Sequence, residues 1–200
     1  MINNCVPDAD RRFSAEHKIV AQLSQNMNFV VDLTVGEFVT LHAESRMISD
    51  LSETVRRIIE CANTLAGESF HSDVPITQLS GGQSRALMIA DTALLSPLPV
   101  VVIDEIENAG VDRRKALDLL IKGEKIVLMS THDPILALMG DRRIVIKNGG
   151  IDKIIRTSAQ ERGNLAALQK IDTGMAELRN LIRTGGEIDF NISRHFANLK

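Results

Sequence analysis

Three short stretches of this 200-residue chain carry side chains suited to phosphate chemistry. Leu79–Gln83 has a serine hydroxyl and two adjacent glycines at the start of a predicted helix, where backbone N–H groups and the helix dipole favour an anion. Asp104 and Glu105 end a hydrophobic run. There, one carboxylate can hold Mg²⁺ through its water shell and the second can orient or deprotonate an attacking water. His132 follows the next apolar run, so we expect it at the same sheet edge as Asp104.

Each stretch also has an ordinary structural explanation. Leu79–Gln83 is compatible with a turn that caps a helix, Asp104 and Glu105 with an acidic strand end in solvent, and His132 with a structural histidine. Their order favours the functional interpretation, because about one helix and one turn separate Gln83 from Asp104.

Hydrophobic periodicity predicts the elements that position these residues. Strands are predicted at Lys18–Gln22, Val100–Ile103, Lys125–Ser130 and Arg143–Lys147, with the last three buried. Helices are predicted at Gly36–Arg46, Leu51–Ala66, Ser84–Leu95 and Arg113–Ile121, and the chain beyond Ile151 is predicted to be helical up to Gly185. Asp50 is predicted to cap the second helix, with Glu53 as its reciprocal partner. This alternation predicts an α/β sheet whose chemistry lies at the carboxyl ends of the strands.

Composition excludes several classes of function. The net charge of −3 argues against broad capture of nucleic acid. No apolar run approaches the roughly 18 residues that span a bilayer, and Met1–Asp10 lacks the features of a secretory signal. The two cysteines form neither a disulfide framework nor a metal-ligand pattern, so a reducing cytoplasm is expected.

These motifs, in this order, resemble those of the ATP-binding cassette (ABC) ATPase family. Leu79–Gln83 matches the family signature, Pro99–Glu105 is similar to its Walker B strand with the catalytic glutamate, and Ser130–Asp133 is similar to its switch-histidine loop. Gln25 begins a stretch that resembles the Q-loop, and Leu33–Val39 is similar to the start of the helical subdomain in transporter-type cassettes.

The resemblance implies a role for each residue around ATP and Mg²⁺. Asp104 would hold the metal, Glu105 would be the general base, His132 would contact the γ-phosphate, and Gln25 would sense both metal and water. The residues that would close over a nucleotide bound mainly by a second subunit are Ser80, Gly81, Gly82 and Gln83, with Asp112 assigned to the D-loop.

The implied fold is the mostly parallel sheet of P-loop NTPases, amino-terminally incomplete, with a helical subdomain and a C-terminal helical tail. Residues 1–35 are expected to be a core remnant with the Q-loop, and residues 36–78 a helical subdomain. Residues 79–150 are expected to form a core with the signature, Walker B and switch histidine, and residues 151–200 a helical extension.

The chain departs from the family in lacking a P-loop. The motif Gly-x-x-x-x-Gly-Lys-Ser/Thr needs a Gly-Lys pair, and none of the 13 glycines precedes a lysine. Because that loop holds the β- and γ-phosphates, we expect the isolated chain to be inactive. Smaller departures are Ile106, where the family usually has proline, and Asp91, where an arginine is common.

The expected function is therefore that of a transporter-like ABC component at the inner face of a membrane. It would depend on a second ABC ATPase subunit, or another P-loop-bearing polypeptide or segment, and on a separate permease. One alternative is a non-catalytic subunit that donates Ser80–Gln83 to a partner's ATP, although Glu105 and His132 would serve a site of the chain's own. A chromosome-maintenance ATPase is disfavoured by the short 36–78 segment and the net charge of −3.

Overall fold

The computed structural model describes residues 18–24, 29–108 and 110–197. The chain forms two compact units that divide after Thr131. In the described part of the chain, no helix combines the length and apolar character needed to cross a membrane.

The first unit contains two helices that each bury one apolar face. α1 (Val35–Glu44) begins at Thr34, whose side chain accepts a hydrogen bond from the Glu37 backbone while the Glu37 carboxylate accepts from the Thr34 backbone. α2 (Leu51–Leu65) begins at Asp50, whose carboxylate accepts from a backbone N–H of the first turn. The cluster they form with neighbouring segments, here called the helical cluster, consists of Val35, Val39, Ala43, Ile58, Ile59, Ala62, Phe70, Ile76, Leu87, Ala90 and Leu95.

The prediction that the Glu53 side chain forms the reciprocal hydrogen bond to the cap of α2 is wrong. The two carboxylate oxygens of Glu53 instead accept from Arg56, at 2.6 and 2.8 Å. An arginine one turn along the helix offers a charged, two-pronged donor, which competes effectively with a single backbone N–H.

α3 (Gly81–Leu94) is the central helix of this unit and packs against α2, against α4 (Arg113–Lys122) and against β1 (Val20–Leu23). Because it has neighbours on several sides, even its polar residues are buried. One of them, Asp91, accepts a hydrogen bond from Nδ1 of His42 at 3.0 Å. The carboxylate that replaces the family's usual arginine therefore ties α3 to α1.

A three-stranded parallel sheet completes the unit. Its order is β1, β2 (Val100–Asp104), β3 (Ile126–Ser130), so β2 is the central strand. Leu23 pairs with Ile103, and Asp104 pairs with Ser130. The predicted α/β class with a parallel sheet is confirmed.

The prediction that the Lys125–Ser130 strand is buried is wrong. Ile126 is 61% exposed and Leu128 is 49% exposed. Among the described residues β3 is an edge strand, since its ladder partner is β2 alone. A run of apolar residues therefore did not by itself establish burial on both faces.

The second unit contains α5 (Pro134–Met139), a hairpin of β4 (Arg142–Lys147) and β5 (Gly150–Arg156), the long helix α6 (Ala159–Arg183) and α7 (Ile192–Ala197). α6 begins after Ser158, which forms a capping box, and it ends before Gly185, where the amphipathic pattern predicts its end.

Three sequence predictions failed in detail. The strand predicted at Arg143–Lys147 is not buried, since Ile144 is 51% exposed and Ile146 is 65% exposed. The chain is not helical directly after Ile151, because Gly150–Arg156 pairs antiparallel with β4. The turn at Asn148 and Gly149, both with positive φ, returns the chain alongside β4 as a hairpin. The helix predicted from Ser84 begins at Gly81, since the capping box of Ser80 and Gln83 places both glycines in its first turn.

Candidate nucleotide site

Asp104 and Glu105 lie at the edge of the parallel sheet where its three strands end. Asp104 is the last residue of β2 and pairs in register with Ser130, the last residue of β3. Glu105 and Thr131 follow directly, and Ser24 follows β1. The structure therefore brings Asp104 and Glu105 to one sheet edge, as the motif order predicts.

Glu105 has an unusual backbone. Its φ of 45° lies in the left-handed region, which a residue with a Cβ seldom adopts. Its N–H donates to the Ser130 carbonyl at 3.1 Å, across to β3. A left-handed non-glycine residue persists only where its surroundings hold it, and such residues cluster at functional sites.

Arg85 of α3 supplies the second contact to this peptide. One guanidinium nitrogen donates to the Glu105 carbonyl at 2.8 Å, and another donates to the Ser24 carbonyl at 3.2 Å. The residue is 3% exposed. Burial lowers the pKa of Arg85, and the nearby carboxylates of Asp104, Glu107 and Glu105 act in the opposite direction.

Glu107 and Thr131 form a further contact at the same edge. The Thr131 hydroxyl donates to a carboxylate oxygen of Glu107 at 2.8 Å, which joins the segment after β2 to the residue after β3. Sequence reasoning assigned no role to Arg85 or Glu107. The available signal was the charged residue Arg85 directly before the apolar run Ala86–Ala90.

The predicted signature forms the amino-terminal turn of α3. The Ser80 hydroxyl accepts from the Gln83 N–H at 3.3 Å, and the Gln83 amide oxygen accepts from the Ser80 N–H at 2.9 Å. Apart from its chain neighbours and the nearby backbone of its own helix, an ideal Cβ placed on Gly81 would meet no atom of the described residues within 4 Å. The first turn of α3 is therefore open on the side of Gly81.

The other predicted residues are Gln25, His132 and Asp112. Gln25 is outside the described residues. His132 is the first residue of the second unit and is exposed. Asp112 caps α4, where its carboxylate accepts from the Lys115 backbone at 3.1 Å. Its carboxylate thus has a structural partner in addition to the role assigned from the resemblance.

The donor set at the strand ends suits magnesium held together with phosphate. Among the described residues, no three Asp, Glu, His or Cys side chains form a ready metal cluster. Magnesium in nucleotide sites needs only one or two carboxylates, since phosphate oxygens and waters complete its shell. Asp104, exposed at the end of β2, fits that requirement.

The described part of the chain thus combines a parallel sheet that has carboxylates at the end of its central strand with a helix that starts with Ser-Gly-Gly. Comparison with known proteins identifies the family. The chain belongs to the ABC transporter ATP-binding proteins.

The supporting relative is the uncharacterized ABC transporter ATP-binding protein MJ0121 of Methanocaldococcus jannaschii. It is 49% identical over 185 residues, which are 92% of this chain and 70% of that protein. The energy-coupling factor transporter ATP-binding protein EcfA1 of Streptococcus mutans is 29% identical over 150 residues, which are 72% of this chain and 52% of that protein. No family model matches the chain.

Solved structures share the fold. The ATP-binding cassette MJ0796, a dimer in a post-hydrolysis state bound to ADP and Pi, matches with a TM-score of 0.58 and 25% identity. That match covers 76% of this chain and 69% of MJ0796. The ATP-binding subunit of an ABC transporter matches with a TM-score of 0.53 at 19% identity, over 89% of this chain and 68% of that one. The predicted family and the P-loop NTPase-type fold are confirmed.

Proposed function

We propose that this chain is the part of an ABC-type ATP-hydrolysing assembly that carries the signature, the Walker B carboxylates and the switch histidine. The observation that carries the proposal is the backbone of Glu105, which is held in the left-handed region directly after the Asp104 strand end. Such a conformation has an energetic cost, so its presence at a motif assigned to water activation supports a catalytic role.

In the proposed reaction Glu105 accepts a proton from the attacking water, and its clamped backbone aims the carboxylate at that water. Asp104 would hold Mg²⁺, which when bound neutralises charge on the phosphates. His132 and Gln25 are proposed to contact the γ-phosphate and to sense metal and water, respectively.

The Ser80–Gln83 turn is proposed to act on a nucleotide bound mainly by a second subunit. Its open face at Gly81 permits close approach, and the first turn of a helix favours negative charge. Asp112 is proposed to lie in the same contact between subunits.

A partner subunit, or a segment of the protein outside these 200 residues, is proposed to supply the phosphate-binding lysine, because the 200 residues contain no Gly-Lys pair. A separate membrane permease is proposed as a further partner, which would place the chain at the cytoplasmic face of a membrane. In support, one relative is named as an energy-coupling factor transporter subunit. One structural neighbour, cbiO1 of Clostridium perfringens, is described as part of the transporter complex cbiONQ.

The test measures binding and hydrolysis of Mg-ATP by the chain alone and with candidate P-loop-bearing subunits. In the preparation that hydrolyses ATP, Glu105→Gln should lower kcat by about 10²–10⁴-fold, the usual contribution of a general base, while ATP binding persists. A matched control is Glu124→Gln, since Glu124 also has a positive φ, 56°, but is exposed at a distant turn.

Each alternative outcome has a distinct meaning. Unchanged turnover in Glu105→Gln would refute the general base. Tight binding and turnover by the isolated chain would refute dependence on a partner. Normal turnover in Glu105→Gln combined with loss of activity in Ser80→Ala would instead indicate a subunit that only donates the signature.

A further inference from the structure

Arg85 is a buried arginine whose charge faces the strand ends and not solvent. Its guanidinium spans two backbone carbonyls that are far apart in sequence, Glu105 at 2.8 Å and Ser24 at 3.2 Å. Arginine's planar fork can donate in two fixed directions at once, which a lysine ammonium cannot reproduce. The residue lies one helical turn beyond the signature serine cap of α3.

The two carbonyls belong to residues next to proposed catalytic groups. Ser24 directly precedes Gln25, and the Glu105 carbonyl belongs to the proposed general base itself. The peptide of Glu105 is bonded on both sides, through its N–H to Ser130 and through its carbonyl to Arg85. Because φ of Glu105 is left-handed, these bonds hold a conformation that the chain would otherwise tend to leave.

We propose that Arg85 is a positioning residue for hydrolysis, which links the helix of the signature motif to the backbone of Glu105 and to the residue before Gln25. It keeps Glu105 in the left-handed conformation that directs its carboxylate, and it does not itself touch nucleotide. A shift of α3 at its signature end would therefore move the general base and Ser24 together. This inference rests on the proposed role of Glu105.

The charges around Arg85 are consistent with this role. Asp104, Glu105 and Glu107 all act on the guanidinium electrostatically. A positive charge buried at the end of the strand also reduces the repulsion among these carboxylates. A neutral replacement would therefore disturb both the geometry and the charge balance, whereas lysine disturbs mainly the geometry.

The first experiment asks whether Arg85 sets the backbone of Glu105 in the chain without nucleotide. Solution NMR of ¹³C,¹⁵N-labelled protein would record the carbonyl and Cα shifts of Glu105 and the carbonyl shift of Ser24. In Arg85→Lys we expect all three to move, and the Cα shift to lose its left-handed character. Arg114→Lys, an exposed arginine of α4 in the same unit, is the matched control. Unchanged shifts in Arg85→Lys would overturn the proposal.

The second experiment is a double-mutant cycle in the preparation that hydrolyses ATP. Arg85→Lys should lower kcat by about 100-fold, as misplacing a catalytic group by about 1 Å does. The KM for ATP should stay within about twofold, because only the reacting geometry is lost. In a Glu105→Gln background the same substitution should cause no further loss, since the group that it positions is already gone.

The results separate this inference from the proposed function. If Arg85→Lys lowers residual hydrolysis by the same factor with and without Glu105, it acts on stability or elsewhere and the inference fails. If Glu105→Gln itself leaves turnover unchanged, the general base and this inference fail together. Circular dichroism and ATP-binding stoichiometry of Arg85→Lys identify a folding defect, in which case the NMR result for the folded fraction decides.

Discussion

The helical cluster and the β4–β5 hairpin are both rich in aliphatic residues, but these side chains are buried in the helical cluster and exposed in the hairpin. In the helical cluster Val35, Val39 and Ile58 are 0% exposed. In the hairpin Ile146, Ile151 and Ile154 are 62–65% exposed. Aliphatic residues occur in both regions, so the difference in their exposure lies in what surrounds the side chains.

The comparison shows which forces hold each region. The helical cluster is stabilised by removing apolar surface from water on three helices at once. The hairpin is attached to α6 by polar contacts, since Arg143 of β4 pairs with Glu161 in the first turn of α6 and Asp141 pairs with Arg162. Apolar strand surfaces left in this state contribute little to the stability of the chain by itself.

The largest expected effect is a loss of stability in the helical cluster, and it is measured by making the same isoleucine-to-alanine substitution in each region. Ile58→Ala should lower the free energy of unfolding by about 2–5 kcal/mol, because it leaves a cavity in a closed core. Ile146→Ala should change it by no more than about 0.5 kcal/mol, as at other exposed sites. Urea denaturation followed by circular dichroism measures both. Equal losses of unfolding free energy would show that the hairpin is covered in solution, and the two regions would then not differ in this respect.

A smaller effect is expected at the polar link inside the helical region. His42→Phe keeps a ring beside Phe38 but removes the donor to Asp91, which leaves a carboxylate that is 4% exposed without this partner. We expect a loss of about 1–3 kcal/mol in the free energy of unfolding. Adding Asp91→Leu should recover most of it, because both polar groups are then absent. Failure of the second change to recover stability would mean that Asp91 matters for reasons other than this bond.

The smallest expected effect is a change in pH dependence in the hairpin's unit. The pKa of Glu161 is lowered by its hydrogen bond from the Ser158 backbone and by Arg143, so its folded pKa lies below the unfolded value of about 4.5. Its stabilisation is present above the unfolded pKa and is lost as pH falls through the folded pKa. Glu161→Gln should therefore flatten the decline in stability below about pH 4.5, measured by urea denaturation at several pH values. An unchanged pH profile in Glu161→Gln would show that the ion pair of Glu161 with Arg143 does not form in solution.

Much of the fold was predictable because its signals are local. The cap at Asp50 and the amphipathic faces of α2 and α6 depend on residues within one or two turns. β5 was missed because a strand of isoleucines and charged residues is recognised only through its partner strand. The exposure of β3 was missed because it depends on what packs against each face of the strand.

The candidate site shows the same division. The sequence alone determined the order of the motifs, the carboxylates at the end of β2 and the family to which they point. Only the tertiary structure decided that Glu105 is left-handed and that Arg85 bonds to its carbonyl and to that of Ser24. The physical reason is distance along the chain. Arg85 acts on residues 20 and 61 positions away, whereas sequence periodicity and capping motifs report only on neighbours within a few turns.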